Sequence, residues 1–127
     1  MTFARIERGK KSEDLAVTYL RRVGYKIITR NYRTKIGEID IIGKDNGFIS
    51  FIEVRSSRGN SYIPAIETIG NRKQNQIARV ALSYIKRYGL KEGSCRFDVV
   101  IVEDVNTPSP KIRLIKNAFE LSSLYLY

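Results

Sequence analysis

The 127-residue chain contains no histidine and a single cysteine. Without histidine there is no Ser-His-Asp or Cys-His nucleophile system, no His-ligated zinc and no imidazole general base. Cys95 alone can form neither an intrachain disulfide nor a cysteine-based zinc cluster. It is expected to pack, as isolated cysteines do. No apolar run approaches the roughly 20 residues that cross a bilayer. The opening MTFARIERGKK carries charge where a signal peptide needs an apolar segment. There is no internal repeat, low-complexity tract or linker. Residues 1–127 therefore read as one domain with one core, soluble and cytoplasmic, without a membrane partner.

What the chain has is positive charge. Lys and Arg number 23 against 13 Asp and Glu, a net charge of +10. Nucleic acid is the commonest partner of so basic a domain. The distribution is uneven. Residues 1–37 hold ten basic and three acidic groups, and residues 55–96 hold nine and two. Between them, residues 38–54 hold one basic and four acidic groups. Basic flanks suit a phosphate backbone. The acidic island opposes it unless cations sit there, the pattern of a metal-dependent nuclease.

Periodicity outlines the elements. Leu15, Ala16, Tyr19, Leu20 and Val23 follow Ser12-Glu13-Asp14 on one side of a helix that Gly24 stops. The early acids and the late Arg21-Arg22 suit the helix dipole. Residues 25–32 read as a strand, 38–44 and 48–55 as a hairpin about Asn46-Gly47, and 71–88 as a helix ended by Gly89. Residues 63–69 allow one or two helical turns, 96–103 a strand, and 111–116 an edge strand; the tail from 117 is ambiguous. The order α-β-β-β-α-β-β implies an α/β or α+β sandwich with a mixed sheet.

The hairpin carries the central inference. With Asn46-Gly47 at the centre of a tight turn, Asp40 lies opposite Glu53 and Glu38 opposite Arg55. Ile42 and Phe51 continue that face, while Ile39 and Ile41 meet Val54 and Ile52 on the other. Apolar residues on both faces mark a covered central pair. Two opposed carboxylates repel, and a divalent cation between them is the efficient remedy. Hard carboxylate oxygens suit Mg2+ or Mn2+. A bulge would turn opposition into proximity, still close enough to share an ion. The other reading is that Glu53 pairs with Arg55 or a flanking Lys and that Asp40 caps a local group.

GEIDII at 37–42 and FIEVR at 51–55 resemble the YraN-like family of proposed endonucleases. SEDLAVTYLRRVGYKIITRNYR at 12–33, Lys73 with the helix after it, RFDVV at 96–100 and KNAFEL at 116–121 extend the likeness over nearly the whole chain. The resemblance implies a restriction-endonuclease-like fold: an α-β-β-β-α-β core with a mixed central sheet flanked by helices, akin to Holliday-junction resolvases. It also implies a site of an Asp, a later Glu-x-Lys and an acid from the first helix. Those positions fall on Asp40, Glu53, Arg55 and Glu13. Glu38 belongs to the signature but is less clearly a ligand. Arg55 stands where the superfamily has Lys; an Arg supplies charge and hydrogen bonds but cannot give up its proton.

The function implied is metal-dependent hydrolysis of DNA phosphodiesters, at branched or junction DNA, leaving a 5′ phosphate. Asp40, Glu53 and Glu13 would hold the metal, with the Val54 carbonyl as an extra ligand. Arg55 would contact the scissile phosphate. Arg21, Arg22, Arg58, Arg72, Lys73 and Arg79 would hold the backbone. Lys73 either swings toward the site or stays a solvated helix lysine. Tyr25 and Tyr62 either stack on bases or pack. Cutting two strands would call for a homodimer. Two other classes stay open: a non-catalytic nucleic-acid-binding protein that keeps the fold, and an RNA-associated accessory protein.

Overall fold

The computed structural model describes residues 3–57 and 69–120. Arg58, Tyr62 and nearly all of the turns expected at 63–69 lie outside the described residues, as does the tail from 121. The elements are α1 (Phe3–Arg22), β1 (Lys26–Arg33), β2 (Glu38–Asp45), β3 (Phe48–Ser57), α2 (Asn71–Tyr88), a short 3-10 turn (Glu92–Ser94), β4 (Cys95–Glu103) and β5 (Lys111–Phe119). One sheet runs β1-β2-β3-β4-β5. Only the β3–β4 pairing is parallel, and α2 makes that crossover. The chain has the α/β architecture of a restriction-endonuclease-like core. Among the described residues no helix is long and apolar enough to cross a membrane.

The sheet is covered on both faces, which is why the middles of β2, β3 and β4 carry consecutive buried apolar residues, Ile41-Ile42, Phe51-Ile52 and Val99 to Val102. On one face α2 lays Ile77, Val80, Ala81, Tyr84 and Ile85 over Ile42, Phe51, Phe97 and Val99. On the other, α1 lays Ala16, Val17 and Leu20 over Ile41, Ile52, Val100 and Val102. Helix α2 has the bounds its periodicity predicts, and Gly89 ends it in the left-handed region at φ 64°. Helix α1 begins earlier than expected, at Phe3 rather than near Ser12. Ser12 is therefore a buried mid-helix residue, hydrogen-bonded to Ser56 of β3. Glu13 and Asp14 are mid-helix too, and no acid occupies the first turn, so they do not complement the dipole there. Val23 is exposed, because the helix stops one residue short of it.

The hairpin has the expected register. Asp45 pairs with Phe48, and the ladder continues to Ile41 with Ile52. Asn46 and Gly47 take φ of 50° and 84°, both positive, as a two-residue type I′ turn requires. One assignment of faces is corrected. Ile39 packs with Ile42 under α2, not with Ile41 under α1. The alternation breaks between them, at Asp40. Beside this break Asn31 of β1 adopts φ 54°, and Tyr32 joins Ile39 on the α2 side. A left-handed residue in one strand turns the pair over locally.

At the far end of β2 the sheet holds a buried polar network. Asp98 is 1% exposed. It accepts hydrogen bonds from Tyr25 Oη at 2.7 Å, Ser50 Oγ at 2.5 Å, Arg96 Nε at 3.0 Å and the Asn117 backbone N–H at 2.9 Å. Arg96 and Lys116 also donate to Asp45, at 2.5 and 2.9 Å. Tyr25 is thus a core residue, and its phenol is held well above its ordinary range by burial and by Asp98. Asp98→Ala should cost about 3–5 kcal/mol in urea unfolding, because it takes the acceptor from the Tyr25 and Ser50 hydroxyls and the Asn117 N–H and leaves Arg96 with Asp45 alone. Tyr25→Phe, which removes one donor, should cost about 1–2 kcal/mol.

Candidate active site

The β2–β3 ladder ends at Ile41 and Ile52, and the next residues on the two strands are Asp40 and Glu53. Their carboxyl groups are in hydrogen-bond contact. Asp40 Oδ2 also accepts the Val54 backbone N–H at 2.8 Å. Glu53 is 8% exposed, and its Oε2 is buried without a hydrogen-bond partner. Lys73 Nζ of α2 stands 3.8 Å from that oxygen. The two readings of the sequence therefore meet. Asp40 does cap a backbone group and Glu53 does face a Lys, yet the two acids touch.

The contact disturbs the ionisation of Asp40. Burial pushes the Asp40 carboxyl up to about 8, and its hydrogen bond and repulsion with Glu53 push the same way. The Val54 N–H and Lys73 pull against this without cancelling it. Near neutrality Asp40 therefore keeps a proton that an isolated Asp would have lost.

Clefts open on both faces beside this pair. On the α2 side, Ile36, Arg72, Lys73, Asn75, Gln76 and Arg79 line a cleft of about 680 Å³. Among the described residues no carboxylate lines it, and Asn75 Oδ1 is buried there without a hydrogen-bond partner. Gln76 Nε2 donates to the Ile36 carbonyl at 2.9 Å, tying α2 to the turn before β2. Gly37 sits under this side chain, where a Cβ would come within 2.9 Å of Gln76. On the α1 side a cleft of about 670 Å³ is walled by Ser12, Glu13, Arg30, Glu38, Asp40 and Val54, among others.

The residues singled out in the sequence separate in space. Glu13 reaches the same α1-side cleft as Asp40. Its Oε1 is taken by Arg30 Nε at 2.9 Å and Asn31 Nδ2 at 3.1 Å. Among the described residues no three His, Cys, Asp or Glu side chains gather closely enough to hold a metal. Glu38 pairs with Arg33 across β1 at 3.5 Å. Arg55 is half-buried beside Ile101 of β4, two residues beyond Glu53 and so on its face by strand alternation. Arg72, Lys73 and Arg79 share the α2-side cleft. Arg21 and Arg22, in the last turn of α1, are exposed. The strand that follows pairs Lys26 with Lys44, at the Asp45 end of β2. That end is five residues from Asp40, roughly 16 Å along the strand.

Sequence reasoning missed Arg30 and Asn31, which hold Glu13, and Gln76, which closes the cleft floor. Nothing local marks them: each matters only through a contact 17 or more residues away. Cys95 behaves as expected: it packs partly buried against the α2-side core, with burial raising its thiol pKa.

A mixed sheet between two helices, with paired carboxyl groups where its central ladder ends, is a restriction-endonuclease-like core. The family model described as uncharacterised protein family UPF0102 matches residues 12–102. A UPF0102 protein of Clostridium kluyveri is 42% identical over 89% of this chain and 93% of its own length. Another, from Dehalococcoides mccartyi, is 42% identical over 93% of this chain and 97% of its own. One from Geobacter sulfurreducens is 39% identical over 90% and 89%. The chain belongs to the UPF0102 family.

The shifted carboxyl makes stability depend on pH. Asp40 ordinarily ionises near 3.8 and here near 8, so between these values the folded state holds a proton that the unfolded state has released. Stability should therefore fall as pH rises from about 4 to about 8 in the presence of chelator. Asp40→Asn should flatten that slope relative to wild type in urea unfolding at stepped pH.

Proposed function

We propose that this protein is a metal-dependent endonuclease that hydrolyses DNA phosphodiester bonds. The observation that carries the reading is the contact between Asp40 and Glu53, with a buried Glu53 oxygen that no donor satisfies. A structural acid pair would be expected to have its lone pairs filled, as Asp98 has. Hard oxygens with spare capacity fit Mg2+ or Mn2+, and Mg2+ keeps several waters when few protein ligands are offered. Asp40 and Glu53 would hold the ion, with Glu13 reaching it through water from the shared cleft. When bound, the ion supplies Lewis-acid stabilisation of the phosphoryl charge and a more acidic attacking water.

The chain's own residues do the rest. Arg72, Lys73 and Arg79 hold the backbone along the α2-side cleft. Arg55, a fixed cation, contacts the phosphate and stabilises its charge without exchanging a proton. Arg30 and Asn31 keep Glu13 oriented. Branched or junction DNA is the substrate the YraN-like resemblance implies, and cutting both strands calls for two copies.

A second reading rests on Arg55. With no Lys at that position and Glu13 already engaged, the same surface serves a protein that binds nucleic acid, DNA or RNA, without cutting it. The two readings differ in a nicking assay on linear and branched DNA with and without Mg2+. The enzyme reading expects Mg2+-dependent nicks that Asp40→Asn and Glu53→Gln reduce at least about a hundredfold, a typical cost of losing such electrostatic stabilisation. Binding that persists with no nicks on any substrate would leave only the second reading. In a separate measurement, Arg72→Gln should weaken DNA binding and lower the salt slope by about one. Arg21→Gln, at the other end of the sheet, should lower it by less.

A further inference from the structure

The ion pair between Lys73 and Glu53 is loose. At 3.8 Å it is too long for a hydrogen bond. The two partners are unequal: the Glu53 side chain is 9% exposed and that of Lys73 is 40% exposed. The buried oxygen therefore keeps its capacity for a cation, while the ammonium is free to turn toward water. Lys73 also forms part of the wall of the α2-side cleft, whose described lining carries no carboxylate, beside Arg72 and Arg79. One ammonium thus borders the Glu53 carboxylate on one side and a cationic cleft open to an anion on the other.

Formal charge decides which it takes. Two ionised carboxylates carry −2, and a dication balances them. With Lys73 still against Glu53, the group is left at +1, and ammonium and dication repel at close range. A phosphodiester in the cleft supplies the missing negative charge and gives Lys73 another partner. Lys73 and the dication compete for Glu53, and a phosphate ends the competition. Linkage then requires each ligand to tighten the other by the same factor.

We propose that Lys73 is a displaceable latch on Glu53, so that a phosphodiester backbone in the α2-side cleft opens the Asp40–Glu53 pair to a divalent cation. This rests on the reading of that pair as a cation site. Its consequence is ordered loading: the free protein binds the cation weakly, and the site fills when nucleic acid is already in place.

Calorimetric titration of Mn2+ into the full chain tests this, alone and with a short phosphorothioate DNA duplex that resists cleavage. Mn2+ taken up by the duplex itself is subtracted. In the wild type the duplex should tighten Mn2+ binding about tenfold, an ordinary size for site-to-site coupling. Lys73→Met and Lys73→Gln should each tighten Mn2+ binding to the free protein by about that factor and abolish the effect of the duplex. Lys73→Arg, which keeps the charge, should keep the coupling. Unchanged or weakened Mn2+ binding by free Lys73→Met and Lys73→Gln, each with a wild-type circular dichroism spectrum, overturns the latch. It leaves the acid pair standing as a cation site. Wild-type Mn2+ affinity in Asp40→Asn and Glu53→Gln removes the cation site itself, and the latch with it.

Discussion

Two carboxyl groups pressed together at the half-dry end of a sheet have three ways to coexist. They share a proton, they share a cation, or they force the strands apart. In this chain the backbone leaves little room for the third. Asp40 is anchored by the Val54 N–H, and Glu53 is buried between flanking strands of a covered sheet. The upward shift of the Asp40 carboxyl, which keeps its proton near neutrality, is the first solution at work. The second exchanges that proton for a metal ion. The cleft residues, the loose lysine and the placement of Glu13 all take their meaning from this one contact.

The opposite end of β2 is an internal control. Asp45 and Asp98 are also buried acids in apolar strands. There Arg96, Lys116, Tyr25, Ser50 and a backbone N–H supply donors to them, and Arg96 and Lys116 lie against the Tyr25 ring. Arg96 holds Asp45 well below its usual range, with Lys116 adding to the effect. Acids in the same sheet thus have their donors at one end and a buried, unsatisfied Glu53 oxygen at the other. Position along one strand separates structural acid from candidate chemistry, and only the count of donors reveals which is which.

The charge of the molecule is divided accordingly. Among the described residues, cations with no carboxylate between them face the α2-side cleft, whereas on the α1 side acids and bases neutralise one another through the pairs of Arg30 with Glu13 and Asp14. A net charge of +10 therefore does not spread evenly around the acid pair. One face offers it a cationic cleft and the other a wall of ion pairs.

Much of this was legible in the chain itself. Helix α2 ran between its predicted bounds because Ile77, Val80, Ala81, Tyr84 and Ile85 recur at helical spacing and Gly89 alone tolerates the left-handed stop. Asn46-Gly47 set the hairpin register, because both residues must take positive φ and few other pairs do so cheaply. That register alone brought Asp40 up to Glu53. What it could not show was the turnover of the strands at Asn31 and Asp40, which moved Ile39 to the other core, or the early start of α1. Nor could it show that Glu13 is held by Arg30 and Asn31, which of the two readings of Lys73 holds, turned toward the site or solvated, or that Arg21 and Arg22 lie at the far end. Local pattern determined the elements and their pairing, since turns and periodicity act over a few residues. Tertiary packing decided which charges meet, since that depends on how a helix from one part of the chain is laid across strands from another.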